Sequence, residues 1–113
     1  MENPLYPAAT PETAKIREQL TPETLNAWRA FSRHVFADGA LSAKTKDLIA
    51  VAVAHVTQCP YCIRAHTRSA HTRGATDKEI MEAIWVAAEM RAGGAIAHST
   101  IAIDVMMDHV SSE

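Results

Sequence analysis

Apolar residues recur along this chain at the three- and four-residue spacing of amphipathic helices, and residues that begin or end helices separate the segments. Thr10-Pro11 places a capping residue before a proline suited to the first helical position, which predicts a short helix to about Leu20. Thr21-Pro22 repeats that signal and predicts a second helix to about Phe36. We expect the large aromatic side chains of this second helix to lie in the core: Trp28 and Phe31.

The most apolar segment of the chain runs from Leu48 to Val56, and Ser42 is placed to cap a helix that includes it. A helix that is apolar on all sides is buried by its neighbours, so we expect this segment to form the central helix. The alternation in residues 51–54 also suits a β-strand, and periodicity alone leaves that alternative open. The alanine-rich surroundings favour the helix.

Two further helix starts follow the central segment. The residues after Cys59 predict a helix to about Arg73, which Gly74 ends. Thr76-Asp77-Lys78-Glu79 then has the form of a capping box and predicts the start of another helix. The buried stripe of that helix is expected to consist of Ile80, Ile84, Ala87 and Ala88.

The carboxyl-terminal part of the chain carries apolar residues on more than one side. Gly93-Gly94 predicts a hinge, followed by a separate last helix from Ile96 to Val110. Ile101 and Val105 lie away from the main apolar stripe of that helix and would be exposed in a monomer. So wide an apolar surface on a small chain predicts that the protein is oligomeric.

Length and composition limit the architecture. A chain of 113 residues is long enough for one domain, which we place at residues 1–113. Apolar residues make up 48% of the chain but aromatic residues only 5%, which suits closely packed helices. Residues 1–10 contain two prolines and few anchors, so we expect an extended arm that is free to pack on a neighbouring subunit. The sequence therefore predicts an all-α bundle of about five to six helices.

Charge and hydropathy exclude several classes of function. A net charge of −2 leaves no basic surface for nucleic acid, and no segment is apolar enough to span a bilayer. The amino terminus lacks the positive charge and apolar run of a secretory signal, so we expect a cytoplasmic protein. In that reducing compartment, a pair of nearby cysteines is typical of catalysis or metal binding rather than of a structural disulfide.

The segment from Cys59 to His66 holds both cysteines of the chain. If the run from Pro60 is helical, about 100° per residue places Cys59, Cys62 and His66 within about 60° of one another. Two thiols at this spacing can form a reversible disulfide, and a thiolate can attack a peroxide to give a sulfenic acid that the second thiol condenses into that disulfide. An external dithiol then resets the pair, and we predict no bound cofactor.

Two other interpretations of the cysteines stay open. They can be two small buried apolar residues, as free cysteines often are. They can also bind zinc together with His66, although no second cysteine pair is present. Three residues are candidates for the fourth zinc ligand: His98, His71 and Asp47. Redox chemistry is the interpretation that we favour, and it requires no metal.

A series of landmarks resembles the AhpD-like alkyl hydroperoxidases of the carboxymuconolactone decarboxylase family. The resemblance covers roughly residues 20–108, and the order of its landmarks is far more specific than a Cys-x-x-Cys pair alone. They are the run from Lys44 to Val53, Cys59-Pro60-Tyr61-Cys62 with Ile63 and His66, and Gly74-Ala75-Thr76 before Glu79-Ile80.

The resemblance implies an all-helical homotrimer or homohexamer with active sites near subunit contacts. It also implies thiol-dependent reduction of hydroperoxides, with a dithiol or lipoyl-type protein as the electron donor. Carried onto this chain, Cys62 attacks the peroxide, Cys59 resolves, His66 helps to deprotonate Cys62, and the carboxylate of the proton relay is Asp47. His98 is a further histidine that could approach the site.

This chain departs from the family pattern at two positions. Asp47 stands where glutamate is common, and its shorter side chain predicts a reduced reach toward His66, with a bridging water in place of direct contact. Tyr61 stands where some members carry histidine.

Three alternative functions stay open beside the peroxidase. They are decarboxylation of a carboxylated lactone, a non-catalytic redox sensor and a zinc-bound structural module.

Overall fold

The computed structural model describes residues 5–111, except for the side chains of residues 109–111. Most of these residues form helices. Residues 1–4 of the predicted arm lie outside the described residues. Within residues 5–111 there is no strand, so the helical prediction for residues 51–54 and the all-α fold are confirmed. The five helices are α1 (Pro11–Leu20), α2 (Pro22–Phe36), α3 (Ala43–Thr57), α4 (Pro60–Thr72) and α5 (Asp77–Ser111).

The predicted capping residues begin the helices in most places. The Ser42 hydroxyl accepts the N–H of Thr45 at 3.1 Å at the start of α3. At the start of α5, the N–H of Thr76 donates to the Glu79 carboxylate at 2.9 Å, and the N–H of Glu79 donates to the Thr76 hydroxyl at 3.1 Å. Thr21 differs from the prediction, because its hydroxyl donates to a carbonyl at the end of α1 rather than capping α2.

The central position of α3 is confirmed, although only one side of the helix is buried. α3 packs against α4, α5 and the end of α2. Its inner side carries Val51 and Ala54, which are almost completely buried. The small core continues through Ala70 of α4 and Ile80 of α5. Three apolar residues on the outer side of α3 remain about half exposed: Ile49, Val53 and Val56.

The predicted hinge at Gly93-Gly94 is wrong, because α5 continues through it as one helix of 35 residues. A glycine ends a helix when it adopts the left-handed conformation, as Gly74 does after α4 with φ of 92°. Among the described glycines only Gly74 has a positive φ. A glycine that stays helical costs only about 1 kcal/mol relative to alanine, which good helix formers on both sides offset. α5 is therefore about 52 Å long.

The single chain is elongated and leaves many apolar residues exposed. Its radius of gyration is 20.0 Å, whereas a compact domain of this length has about 13 Å. Trp28 and Phe31 contact each other but are 61% and 60% exposed, so the prediction that they lie in the core is wrong for one chain. The reason is that α1 and α3, the main neighbours of α2 in the described chain, leave this side of the helix uncovered. The distal half of α5 is also exposed: Ile96, Ile101, Ile103, Val105, Met106 and Met107.

None of the helices in the part of the chain that the structure describes combines the length and the apolar character needed to cross a bilayer.

Candidate active site

The two cysteines lie together at the start of α4. Cys59 is the N-cap residue of the helix, and its Sγ accepts the N–H of Cys62 at 3.2 Å. Pro60 occupies the first helical position, where its missing N–H costs nothing. Both cysteines are free thiols and half-buried. The local sequence thus places one sulfur directly over the positive end of a helix, with the second sulfur one turn further on.

The surroundings of the two sulfurs shift the pKa values of the two thiols in opposite directions. The pKa of Cys59 is lowered, chiefly by a hydrogen bond from the Cys62 side chain and also by the Cys62 N–H. The pKa of Cys62 is raised, first by its hydrogen bond to the Cys59 sulfur and then by burial and by the negative charge of Cys59. Cys59 therefore ionises first, and Cys62 keeps its proton while Cys59 is a thiolate.

Asp47 is a buried carboxylate shared by three donors. It lies on the inner side of α3 and is 1% exposed. Its Oδ1 accepts the Nδ1–H of His66 at 3.2 Å. Its Oδ2 accepts the hydroxyl of Ser69 at 3.0 Å and lies 3.2 Å from the Nε of Arg73, with which it forms an ion pair. The contact with His66 is direct, so the expectation of a bridging water is wrong: the packing of α3 on α4 brings the shorter side chain close enough.

These contacts determine the tautomer of His66. A carboxylate can only accept hydrogen bonds, so the proton must be on Nδ1, and the Nε2 of a neutral imidazole is left with a free lone pair. The Phe36 ring, at the end of α2, stacks on the imidazole with centroids 4.9 Å apart and planes inclined by 25°. His66 also lies one helical turn after Cys62 on α4. The imidazole is thus oriented from two sides and has the form of a general base.

The remaining predicted histidines are placed elsewhere. His98 is exposed on α5, and its Nδ1–H donates to the Gly94 carbonyl at 2.8 Å. His71 pairs with Asp77 at the start of α5. Within residues 5–111, no three His, Cys, Asp or Glu side chains come together in a group that could hold a metal ion.

Ser69 and Arg73 complete the site, and the sequence analysis did not identify either. A signal for them was present, because at 100° per residue Cys62, His66, Ser69 and Arg73 fall within about 60° of one another on α4. Polar residues on the same side of a helix as reactive residues are candidates for the contacts that orient those residues. Arg73 follows the last residue of α4, where the left-handed Gly74 ends the helix.

An open cleft of about 530 Å³ lies beside the imidazole and gives access to it from the side of α2. Asp47 and Arg73, which form the ion pair, both border the cleft, and so does Arg33. The residues that line it are Ser32, Arg33, Phe36, Ala37, Asp47, Ala65, His66, Ser69 and Arg73.

Tyr61, between the two cysteines, holds the described part of the amino-terminal arm. Its hydroxyl donates to the Pro7 carbonyl at 2.7 Å, and its ring contacts the ring of Tyr6 edge to face at 6.3 Å. The described part of the arm therefore contacts α4 of its own chain, and its packing on a neighbouring subunit stays a prediction.

Comparison with known proteins places this helical arrangement among related chains. The family model of the carboxymuconolactone decarboxylase family matches residues 22–104. An uncharacterized protein of the cox locus of Paracoccus denitrificans is 54% identical over 103 residues, which are 91% of this chain and 89% of that protein.

Solved structures show the same relationship. A carboxymuconolactone decarboxylase family protein from Legionella pneumophila is 32% identical with a TM-score of 0.66, over 86% of each chain. Another family member, from Thermotoga maritima, for which a part in an antioxidative response has been suggested, is 32% identical with a TM-score of 0.54, over 79% of this chain and 94% of that one. This chain belongs to the carboxymuconolactone decarboxylase family.

Proposed function

We propose that this protein is a thiol-dependent peroxidase of the AhpD-like type, which reduces hydroperoxides through Cys59 and Cys62. The observation that carries the proposal is the Cys59 sulfur, which caps α4 and accepts the N–H of Cys62 at 3.2 Å. A sulfur at this position has a lowered pKa and a second thiol beside it, which is the arrangement that reversible disulfide chemistry requires. The suggested antioxidative role of the Thermotoga maritima relative supports the same conclusion.

The reaction begins when Cys62 loses its proton and its thiolate attacks the distal oxygen of the hydroperoxide. The O–O bond breaks, Cys62 becomes a sulfenic acid, and the leaving alkoxide takes up a proton to form the alcohol. The Cys59 thiolate then attacks the Cys62 sulfur, a disulfide forms, and hydroxide leaves to be protonated to water. Two electrons pass from the thiols to the peroxide, and an external dithiol returns them.

His66 is the proposed base for Cys62. The pKa of Cys62 is raised by its neighbour, so this thiol needs an acceptor for its proton before it can attack. The Nδ1–H of His66 is held by Asp47, which leaves Nε2 able to accept that proton and later deliver it to the leaving alkoxide. The Cys62 N–H, which also lowers the pKa of Cys59, stays in place after the Cys62 thiol is consumed and favours the thiolate that the second step needs.

The electron donor that we propose is a dithiol or lipoyl-type protein of the cytoplasm, where such donors stay reduced. We also propose that the chain assembles as a homotrimer or homohexamer. The exposed apolar surface of α5 and the radius of gyration of 20.0 Å support assembly, because burying apolar area drives association.

One experiment tests the peroxidase directly. The fully reduced protein is mixed with hydrogen peroxide, an alkyl hydroperoxide or an aryl hydroperoxide, and free thiols and remaining peroxide are counted. We expect two thiols to disappear for each peroxide reduced, and turnover once dihydrolipoamide is added. Thiols that persist under excess peroxide would refute the proposal, and oxidation without turnover would identify a redox sensor instead.

The two single-cysteine variants assign the roles. Cys59→Ser should react once with peroxide and stop at a sulfenic acid, which a dimedone probe traps. Cys62→Ser should give no sulfenic acid and no turnover. If Cys62→Ser is the variant that forms the sulfenic acid, the order of attack and resolution is reversed.

Decarboxylation of a carboxylated lactone is the second candidate function. Arg33 and Arg73 border the cleft beside His66 and provide the positive charge that such an anionic substrate needs. This reaction has no use for two thiols, so decarboxylase activity that survives replacement of both Cys59 and Cys62 would favour it.

A further inference from the structure

We propose that Arg73 is a positioning residue that holds the His66 base in one orientation, by fixing the carboxylate of Asp47 on one side of the imidazole and Phe36 on the other. Its role in proton transfer rests on the proposed peroxidase function, whereas its effect on the orientation of His66 does not. The inference stands on two contacts of the Arg73 guanidinium, one with α3 and one with α2, and on the burial of the Asp47 carboxylate.

The first part of the argument is the division of the Asp47 oxygens. Oδ2 accepts the Ser69 hydroxyl and forms the ion pair with Arg73, so Oδ1 is the oxygen left for His66. With both oxygens occupied, the carboxylate is not free to rotate. The Nδ1–H of the imidazole therefore meets an acceptor in one fixed direction.

The second part is charge. Asp47 is 1% exposed, and a buried carboxylate needs a cationic partner. The Arg73 side chain, 38% exposed, supplies that charge permanently. Without it, the Asp47 carboxylate would lose the cation that holds Oδ2, and the acceptor that His66 meets would no longer be fixed in one direction.

Other charged and titratable groups around His66 do not replace Arg73. From α2, Arg33 borders the same cleft. From α3, Asp47 is the group already described, and from α4, Cys62 lies one turn before His66. The residues described as lining the cleft include none from α5. Within this set, Arg73 is the cation bonded to the carboxylate.

The third part is the aromatic ring on the other side of the imidazole. Arg73 donates from Nη1 to the carbonyl of Phe36 at 3.1 Å, while the Phe36 ring stacks on His66. One guanidinium thus joins the end of α2 to α3 and α4. Its backbone is held by an N–H bond to the Ser69 carbonyl at 3.0 Å and by the left-handed Gly74 that follows.

The test compares three variants of the full-length protein. Arg73→Gln removes the charge, Arg73→Lys keeps the charge but loses the planar fork, and Arg68→Gln is the matched control. Arg68 is an exposed arginine of the same helix that does not border the His66 cleft. NMR of the His66 ring reports the tautomer of the imidazole and the ring-current shift from the stacked Phe36, and stopped-flow mixing with an alkyl hydroperoxide reports the rate of thiol oxidation.

We expect the wild type and Arg68→Gln to show the Nδ1–H tautomer of His66 and the ring-current shift of an imidazole stacked on Phe36, and Arg73→Gln to lose that shift. The oxidation rate of Arg73→Gln should fall by about tenfold, the lower end of the cost of losing an orienting partner. Arg73→Lys should restore part of the rate, because its ammonium can pair with Asp47 but lacks the fork that joins Asp47 to the Phe36 carbonyl. Loss of packing alone would not explain this order.

An unchanged ring-current shift and an unchanged oxidation rate in Arg73→Gln would overturn the proposal. If that variant does not fold, the same substitution is measured in a Gly94→Ala background, which we expect to be more stable. The NMR result separates this proposal from the peroxidase itself: loss of the shift in Arg73→Gln, in a protein without peroxidase activity, supports the positioning role and refutes only the proposed function.

Discussion

The replacement Asp47→Asn tests the buried centre of the site with the smallest possible change in shape. The carboxylate accepts from His66 at one oxygen and from Ser69 and Arg73 at the other. Asparagine offers one oxygen and one NH2 group, so its NH2 group must face a donor, either His66 on one side or Ser69 and Arg73 on the other. The guanidinium of Arg73 also loses the negative charge that balances it.

The expected loss of stability follows from these contacts. A hydrogen bond to a charged group contributes about 1.5–3 kcal/mol, and breaking a buried ion pair costs about 3–5 kcal/mol. The Arg73 side chain is 38% exposed, so water reduces the second figure, and we expect a net loss of about 2–3 kcal/mol. With an unfolding entropy of about 2.1 cal/mol/K per residue, this loss lowers Tm by about 8–13 °C.

Thermal and urea unfolding at one fixed protein concentration measure the effect, because assembly makes the apparent stability depend on concentration. Asp77→Asn is the matched control. Asp77 also pairs with a histidine, His71, but its side chain is 92% exposed. The same chemical change should cost less than about 1 kcal/mol there.

Equal unfolding midpoints for the two variants would refute the reasoning, since burial is the main difference between the two Asp–His pairs. A large loss of stability in Asp47→Asn with the charge and tautomer of His66 unchanged would show that the carboxylate stabilises the fold without orienting the imidazole. The contact with Asp47 would then no longer support the proposed role of His66 as a base.

Three further results are expected. Cys59→Ser removes the sulfur that accepts the hydrogen bond of Cys62 and carries the negative charge beside it, both of which raise the pKa of Cys62. Alkylation of Cys62 by iodoacetamide should therefore begin at lower pH than in the wild type; an unchanged or higher onset would contradict the described coupling. Gly74→Ala forces a side chain into a φ of 92° and should cost about 1–3 kcal/mol. Gly94→Ala instead meets open space inside a helix and should gain up to about 1 kcal/mol; urea unfolding of both variants checks the contrast. Ile101→Asp should shift the protein toward smaller species in sedimentation velocity, because Ile101 is 62% exposed on the surface proposed for assembly, and an unchanged profile would exclude that surface.

Features that depend on residues close in the chain were predictable from the sequence. A capping side chain and the N–H that it satisfies are three residues apart, so the starts of α3, α4 and α5 could be read from Ser42, Cys59 and Thr76. The shared face of Cys59, Cys62 and His66 follows from helical geometry alone. Thr21 is the exception, because its hydroxyl donates to a carbonyl of the preceding helix.

The resemblance to a known family supplied what spacing could not. Asp47 lies 19 residues before His66, and nothing in the periodicity of α3 distinguishes it from a surface residue. Its role was therefore an expectation from the resemblance, and its direct contact with His66 became visible only with α3 packed on α4.

Most helices, their starts and the reactive stripe of α4 follow from the order of the amino acids, because these features depend on hydrogen bonds and angles within a few residues. The packing of the helices was needed to show that Asp47 is buried, that Ser69 and Arg73 contact its second oxygen, and that Phe36 stacks on His66. The three-dimensional structure was also needed to show that Gly93-Gly94 stays helical and that Trp28 is exposed. These outcomes depend on which surfaces meet in space, and residues far apart in the chain carry no local signal of that meeting.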